Sequence, residues 1–232
     1  MKITILTLFP QMFDSPFNSS IIKRAIDKKQ IELNFINIRD FGIGKHKLVD
    51  DTPYGGGNGM VLRVDVLQKA IESTRLTARQ AKNKKLKKIE EKIILLSAHG
   101  EKFDQKIAKS FSKLKHLIII CGHFEGFDER IKKFVDADIS VGDFILTGGE
   151  IPAMLIIDSV ARLVSGVIKK GSSENESFSP LLEYPHYTKP QIFKNLKVPE
   201  ILVSGNHAKI SKWREEQSLK ITSKLRPDLI KN

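Results

Sequence analysis

The sequence predicts a parallel α/β domain followed by a small, separate helical domain. Three observations carry this. Two alternating, β-branched segments, residues 2–9 and 31–38, enclose a helix that Ser19 or Ser20 can cap, with Ile21, Ile22, Ala25 and Ile26 on one face. Strand–helix–strand with short links is the signature of a parallel unit. The most apolar short run, His116-Leu-Ile-Ile-Ile-Cys121, ends in a glycine turn that carries His and Glu, CGHFEGFDER. Such a turn on a buried strand puts polar groups on a rigid support. Finally, residues 169–179 (KKGSSENESFS) are polar and rich in Gly and Ser, and read as a linker between domains 1–168 and 179–232.

Bulk properties narrow the class. At 232 residues and 41% hydrophobic, the chain can build one sizeable core plus a smaller one. The net charge of +12, from 39 Lys+Arg against 27 Asp+Glu, favours a polyanionic partner, most simply nucleic acid. The competing reading is a lysine-rich composition with no role. A single cysteine, Cys121, excludes a disulfide framework and a Cys-based zinc site and fits a reducing compartment. Residues 3–9 are too short for a secretory apolar segment and run into Pro10. No apolar run approaches the roughly 18 residues of a membrane span. A soluble, cytoplasmic protein is expected.

Between the second strand and the linker the chain reads as follows. Residues 41–60 hold Gly42, Gly44, His46, Asp50, Asp51 and then PYGGGNGM, too many glycines for a helix or strand interior. A loop of about 20 residues is expected, and loops that long are usually functional or disordered. A helix follows, capped by Asp65, with Val66, Leu67, Ala70 and Ile71 apolar. Residues 75–92 are lysine-rich and read as a solvated face. Residues 93–97 form a strand ending in the turn Ser97-Ala-His-Gly100. Residues 101–115 place Phe103, Ile107, Ala108, Phe111 and Leu114 at helical spacing. Residues 117–121, 128–135 and 139–141 read as strand, short helix and short strand. Residues 151–164 are apolar nearly all round, so that helix needs cover on more than one side. A second copy of the chain is the expected cover, giving an obligate homodimer. Arg162, on the same helix, is costly to bury without a partner. Beyond the linker, residues 206–226 read as a basic helix with Ile210, Trp213, Gln217 and Ile221 in step, and the chain from Ser179 on carries 10 Lys/Arg against 5 Asp/Glu.

No dinucleotide fingerprint, P-loop, paired-histidine metal motif or nucleophile elbow is present. What remains is three glycine turns, at 97–100, 122–126 and 141–149. Adjacent strand ends of a parallel sheet form a crevice, and three such turns can hold a nucleotide-like ligand through backbone groups.

Taken in order, DDTPYGGGNGMV, CGHFEGFDERI, SVGDFILTGGEIPAMLIIDSVARL and SGNHAKISKWREEQSL resemble the bacterial tRNA (guanine-N1)-methyltransferases, the TrmD family of the SPOUT superfamily. The likeness spans the chain from the first strand to Arg226-Pro-Asp-Leu229. It implies a parallel sheet with a deep trefoil knot plus a C-terminal α-helical domain, working as a homodimer with the active site shared between subunits. It implies S-adenosyl-L-methionine bound by Leu95, Leu96 and Ser97, by Gly122, Phe124, Glu125 and Gly126, and by Val141, Gly142, Asp143, Phe144, Ile145, Leu146, Gly148 and Gly149. The implied partner is tRNA, methylated at N1 of the guanosine on the 3′ side of the anticodon. Asp50 and the run Tyr54, Gly55, Gly56, Gly57, Asn58, Gly59 are implied to contact the target, with Trp213, Arg214 and Ser218 on the anticodon stem. For Trp213 the alternative is the small domain's core.

Guanine N1 carries a proton at neutral pH, so the reaction needs a base. The family places an Asp before Ser-Phe in the linker, and this chain has Glu176 there. Glu176 is the expected base, with Asp158 as the alternative. Arg162 matches the family's arginine and would stabilise charge growing on O6. The chain departs from the family pattern at Ala98, His99 and His123 as well. Mg2+ is a candidate assistant with no ligand assigned. Two rivals stand beside this reading: an enzyme of the same fold acting on another RNA, and an RNA-binding protein without catalysis.

Overall fold

Five parallel strands form the central sheet of the first of two units, and its inner strands, over residues 3–7, 93–96 and 117–120, are buried on both sides. The computed structural model describes residues 1–80, 90–169 and 176–230. Parts of the lysine-rich stretch and of the linker read from the sequence lie outside these residues. Contacts divide the chain into two units, Met1–Ile168 and Lys169–Asn232.

In the first unit β1 (Lys2–Thr7) leads through a 3-10 turn at Pro10–Phe13 to α1 (Ser20–Asp27) and β2 (Glu32–Asn37). A second 3-10 turn, Ile38–Phe41, precedes β3 (Asp50–Asp51), β4 (Val61–Leu62) and α2 (Val64–Gln80). Then come β5 (Glu91–Lys102), α3 (Gln105–Phe111), β6 (His116–Ile120), a 3-10 helix Glu129–Phe134, β7 (Ala137–Ser140) and α4 (Glu150–Ala161). The sheet order is β2-β1-β6-β5-β7, with every neighbouring pair parallel.

Both faces are covered, which is why β6 and residues 93–96 of β5 read as continuous apolar runs. Ile3, Ile5, Ile94, Leu96, Leu117 and Ile119 pack with Ile22 and Ala25 of α1, Phe111 of α3 and Ile156 and Val160 of α4. The alternate residues Leu6, Ile93, Leu95, Ile118 and Ile120 pack with Val66, Leu67, Ala70 and Ile71 of α2. Truncating one of these isoleucines to Ala costs about 2–5 kcal/mol.

Four expectations change. The segment 97–100 is not a turn that ends its strand. β5 continues through it, and Leu96 and Glu101 both pair with Ile139, so the residues between bulge out of the ladder. The long loop is shorter than expected, because Ile43 and Leu48 exchange backbone hydrogen bonds of 2.9 and 3.0 Å and Asp50–Asp51 pairs with Val61–Leu62. The helix expected at 101–115 begins only at Gln105, where the Asp104 side chain accepts from the Ile107 N–H, since the preceding residues belong to β5. The helix expected to be capped by Asp65 begins at Val64, and Asp65 instead binds Arg63.

Among its described residues the second unit holds a hairpin, β8 (Ile192–Phe193) with β9 (Leu196–Lys197), the α-helices α5 (Glu200–Val203) and α6 (His207–Leu225), and a 3-10 helix at Pro227–Leu229. Asn206 caps α6 by accepting from the Lys209 N–H. Among the described residues no helix is long and apolar enough to cross a membrane.

Candidate functional site

A cleft of about 370 Å3 opens at the C-terminal ends of β6 and β7, beside the bulge of β5, within the usual range of small-molecule sites. Fourteen of the fifteen residues expected around a ligand line it. Leu95, Leu96 and Ser97 come from β5, and Gly122, Phe124, Glu125 and Gly126 from the turn after β6. Val141, Gly142, Phe144, Ile145, Leu146, Gly148 and Gly149 follow β7. Asp143 does not line it: its carboxylate points outward and pairs with Lys102 at 3.4 Å.

The three segments meet backbone to backbone. The Gly149 N–H donates to the Gly122 carbonyl at 2.7 Å. A Cβ on Gly149 would sit 2.6 Å from the Gly122 nitrogen and 2.7 Å from Cys121 Cα, and one on Gly100 would strike the Ile139 backbone. Only glycine permits this approach. Phe124 is held at φ 58°, a conformation that bulky residues rarely adopt and that clusters at functional sites.

Polar groups frame the cleft. The Ser97 hydroxyl donates to Asp138 Oδ1 at 2.7 Å. Lys132 Nζ lies 2.6 Å from Glu129 and 3.8 Å from Asp138. Glu129, Lys132, Thr147 and Pro152 line the cleft but were not singled out in the sequence. A signal existed for the first two, since an i, i+3 pair on the helical turn that follows a glycine turn faces one way. His99 and His123, marked above only as departures, line it as well. Below the cleft, Glu150 is buried and accepts from the Thr7 hydroxyl at 2.7 Å. Burial, and then the charge of Glu150, push the Cys121 thiol well above its ordinary range, so it is no nucleophile.

The glycine loop, residues 52–60, attaches to the rim. The Glu125 N–H donates to the Met60 carbonyl at 3.0 Å, the Leu62 N–H to the Gly126 carbonyl at 2.9 Å, and the Asp128 N–H to the Leu62 carbonyl at 3.0 Å. The structure thus brings Gly59 against the side chain of Glu125. Tyr54 is fully exposed at the tip, and Gly55 and Gly56 have φ 88° and 80° with no other atom close to the Cβ position. Asp50, half-buried, stands in β3 at the loop's root. The Arg63 guanidinium holds the Asp65 carboxyl below its ordinary range, and Arg130 does the same to Asp128.

Arg162 caps α4, half-buried, its N–H donating to the Asp158 carbonyl at 3.3 Å. Asp158 is exposed. In the second unit Glu176 is half-buried and precedes Ser177, whose hydroxyl accepts from the Glu183 N–H at 3.0 Å. Trp213 is half-buried on α6. Its neighbours are engaged locally: the Arg214 guanidinium lies 4.8 Å over the Tyr184 ring, and the Ser218 hydroxyl donates to the Leu182 carbonyl at 2.5 Å. Among the described residues no group of three His, Cys, Asp or Glu side chains is arranged to hold a metal ion.

A parallel sheet with a glycine-walled cleft at its strand ends is the α/β arrangement in which ligands bind. Comparison with known proteins makes this specific. A family profile described as tRNA (Guanine-1)-methyltransferase TrmD matches residues 1–232, and the chain belongs to this family. Among its relatives, the tRNA (guanine-N(1)-)-methyltransferase of Carboxydothermus hydrogenoformans is 55% identical, over 100% of this chain and 88% of the relative. The protein of the same name from Metamycoplasma arthritidis is 52% identical over 99% of this chain and 96% of its own length, and that of Endomicrobium trichonymphae 50% over 100% of both.

Proposed function

We propose that this chain methylates N1 of the guanosine 3′ to the anticodon of tRNA, using S-adenosyl-L-methionine. The observation that carries the reading is the cleft with the glycine loop fastened to its rim: a donor pocket and a substrate-facing loop share one edge. The residues fit the donor. Apolar Leu95, Leu96, Ile139 and Val141 offer walls for a purine, and the three backbone segments offer N–H and C=O groups to its polar edge. Bound there, S-adenosyl-methionine supplies an electrophilic methyl group.

The chain's own residues handle the proton and the charge. Glu176 accepts the N1 proton, which frees the nitrogen lone pair for attack. Arg162 stabilises the negative charge that grows on O6. Asp50 and residues 54–59 hold the target guanosine, and the basic C-terminal helical domain 179–232, through Trp213, Arg214 and Ser218, holds the anticodon stem. Residues 169–178 serve as the linker that carries the base. The abutting backbones at Gly149/Gly122 and Gly100/Ile139 support a deep trefoil knot in domain 1–168. The homodimer, with an active site shared between subunits, is supported by α4: it is apolar nearly all round, yet Ile151 and Leu155 are about half exposed. No residue is assigned to Mg2+.

The test is incubation with methyl-labelled donor and an unmodified tRNA transcript, followed by mapping of the label. Label at N1 of the anticodon-adjacent guanosine is expected. Label elsewhere or absent overturns the reading. Glu176→Ala is expected to abolish turnover and leave donor affinity within about twofold, as for a general base that does not touch the donor. Retained turnover removes Glu176 from the role.

A further inference from the structure

We propose that Arg63 is a positioning residue that fixes the glycine loop, and with it the target guanosine, against the donor cleft. The inference rests on the reading that residues 54–59 hold the target. Arg63 directly follows β4 and spans two carboxylates. Its Nη1 donates to Asp51 Oδ2 at 2.8 Å, its Nε to Asp65 Oδ1 at 3.2 Å and its Nη2 to Asp65 Oδ2 at 3.1 Å. Its backbone N–H donates to the Val49 carbonyl at 2.9 Å. Asp51 is the last residue of β3, immediately before the loop. Asp65 lies in the first turn of α2, whose Val66, Leu67, Ala70 and Ile71 are buried against the sheet. The guanidinium therefore joins the two sides of the loop root, the end of β3 and the start of α2.

Without this link, the root keeps the backbone bond to the buried Val49 and a short ladder. β3 and β4 pair over only two residues each, and so short a ladder is marginal on its own. The far side of the loop is already fixed to the cleft by the bonds of Met60 and Leu62 to residues 125–128. Arg63 supplies the matching constraint on the near side, so the loop is held at both ends. Its two-sided fork suits this task. A lysine offers a point charge and cannot serve both carboxylates with the same fixed geometry. Loss of the guanidinium also removes the cation shared by Asp51 and Asp65. Arg63 is itself one-third exposed, so its replacement leaves the core intact.

The experiment compares the wild-type chain with Arg63→Met and Arg63→Lys by three readouts: amide hydrogen exchange across residues 49–63, donor affinity, and kcat and KM for a tRNA transcript. In Arg63→Met, exchange over 49–63 is expected to rise, donor affinity to stay within twofold, and kcat/KM for tRNA to fall about tenfold, as expected when a substrate-positioning element loosens. Arg63→Lys should fall between the two. Unchanged exchange overturns the clamp, whatever the kinetics show. Faster exchange with unchanged kcat/KM for tRNA keeps the clamp but contradicts the substrate role of the loop on which the proposal rests, and so overturns it. A parallel loss of donor affinity makes Arg63 a general support of the cleft and overturns the positioning role.

Discussion

Two pairs of glycines, Gly149 and Gly100 beside the cleft and Gly55 and Gly56 in the loop on its rim, are needed for opposite reasons. At Gly149 and Gly100 a side chain would collide with another stretch of backbone, and the conformation itself is ordinary; Gly149 has φ −82°. At Gly55 and Gly56 there is open space where a side chain would go, but the backbone turns through positive φ. The first kind of glycine lets segments far apart in sequence touch and so makes a rigid pocket. The second lets a single segment turn back on itself. A methyl donor that is the same in every cycle suits the first. A nucleotide that must enter from a large RNA suits the second.

This contrast can be broken by substitution. The largest effect is expected from Gly149→Ala, which forces the Gly122 and Cys121 backbones apart at a cost of up to about 3 kcal/mol. Thermal stability and donor affinity should fall together. A smaller effect is expected from Gly56→Ala, where left-handed backbone costs a residue with a side chain roughly 1–2 kcal/mol. That variant should lose several-fold in kcat/KM for tRNA and keep its donor affinity. If Gly56→Ala weakens donor binding as strongly as Gly149→Ala, the two regions are one unit and the distinction fails. The smallest effect concerns pH. Hydrogen bonds from Arg63 and Arg130 depress the carboxyls of Asp65 and Asp128, so their contribution is present above the ordinary carboxylate pKa and disappears as pH falls through the depressed values, below about pH 4. Both groups are near the surface, so the share is small. The drop in thermal midpoint caused by Asp65→Asn should be smaller at pH 3 than at pH 7; the reverse order would contradict the sign.

The strands of the central sheet were legible because burial on both faces writes Ile and Leu continuously, as in His116–Ile120. The cleft was legible where its turns follow β6 and β7 directly, at 122–126 and 141–149. Segments whose state depends on a distant partner were not. Residues 97–100 look like a turn, and only the register of Ile139 against both Leu96 and Glu101 makes them a bulge within a strand. Asp65 looks like a helix cap, and only its nearness to Arg63 and Asp51 gives it another task. The bonds from Met60 and Leu62 to residues 125–128 join segments more than 60 residues apart, beyond any periodicity. The roles of Glu176 and Arg162 came from resemblance, since a lone acid in a polar linker carries no pattern of its own.

The most direct test of the contrast is a calorimetric titration of S-adenosyl-methionine into the wild-type chain, Gly149→Ala and Gly56→Ala. The account predicts binding by the wild type, affinity within about twofold for Gly56→Ala, and a loss of about a hundredfold for Gly149→Ala, the equivalent of roughly 3 kcal/mol. Undiminished binding by Gly149→Ala would contradict it, because the donor site would then not depend on the close packing of these backbones.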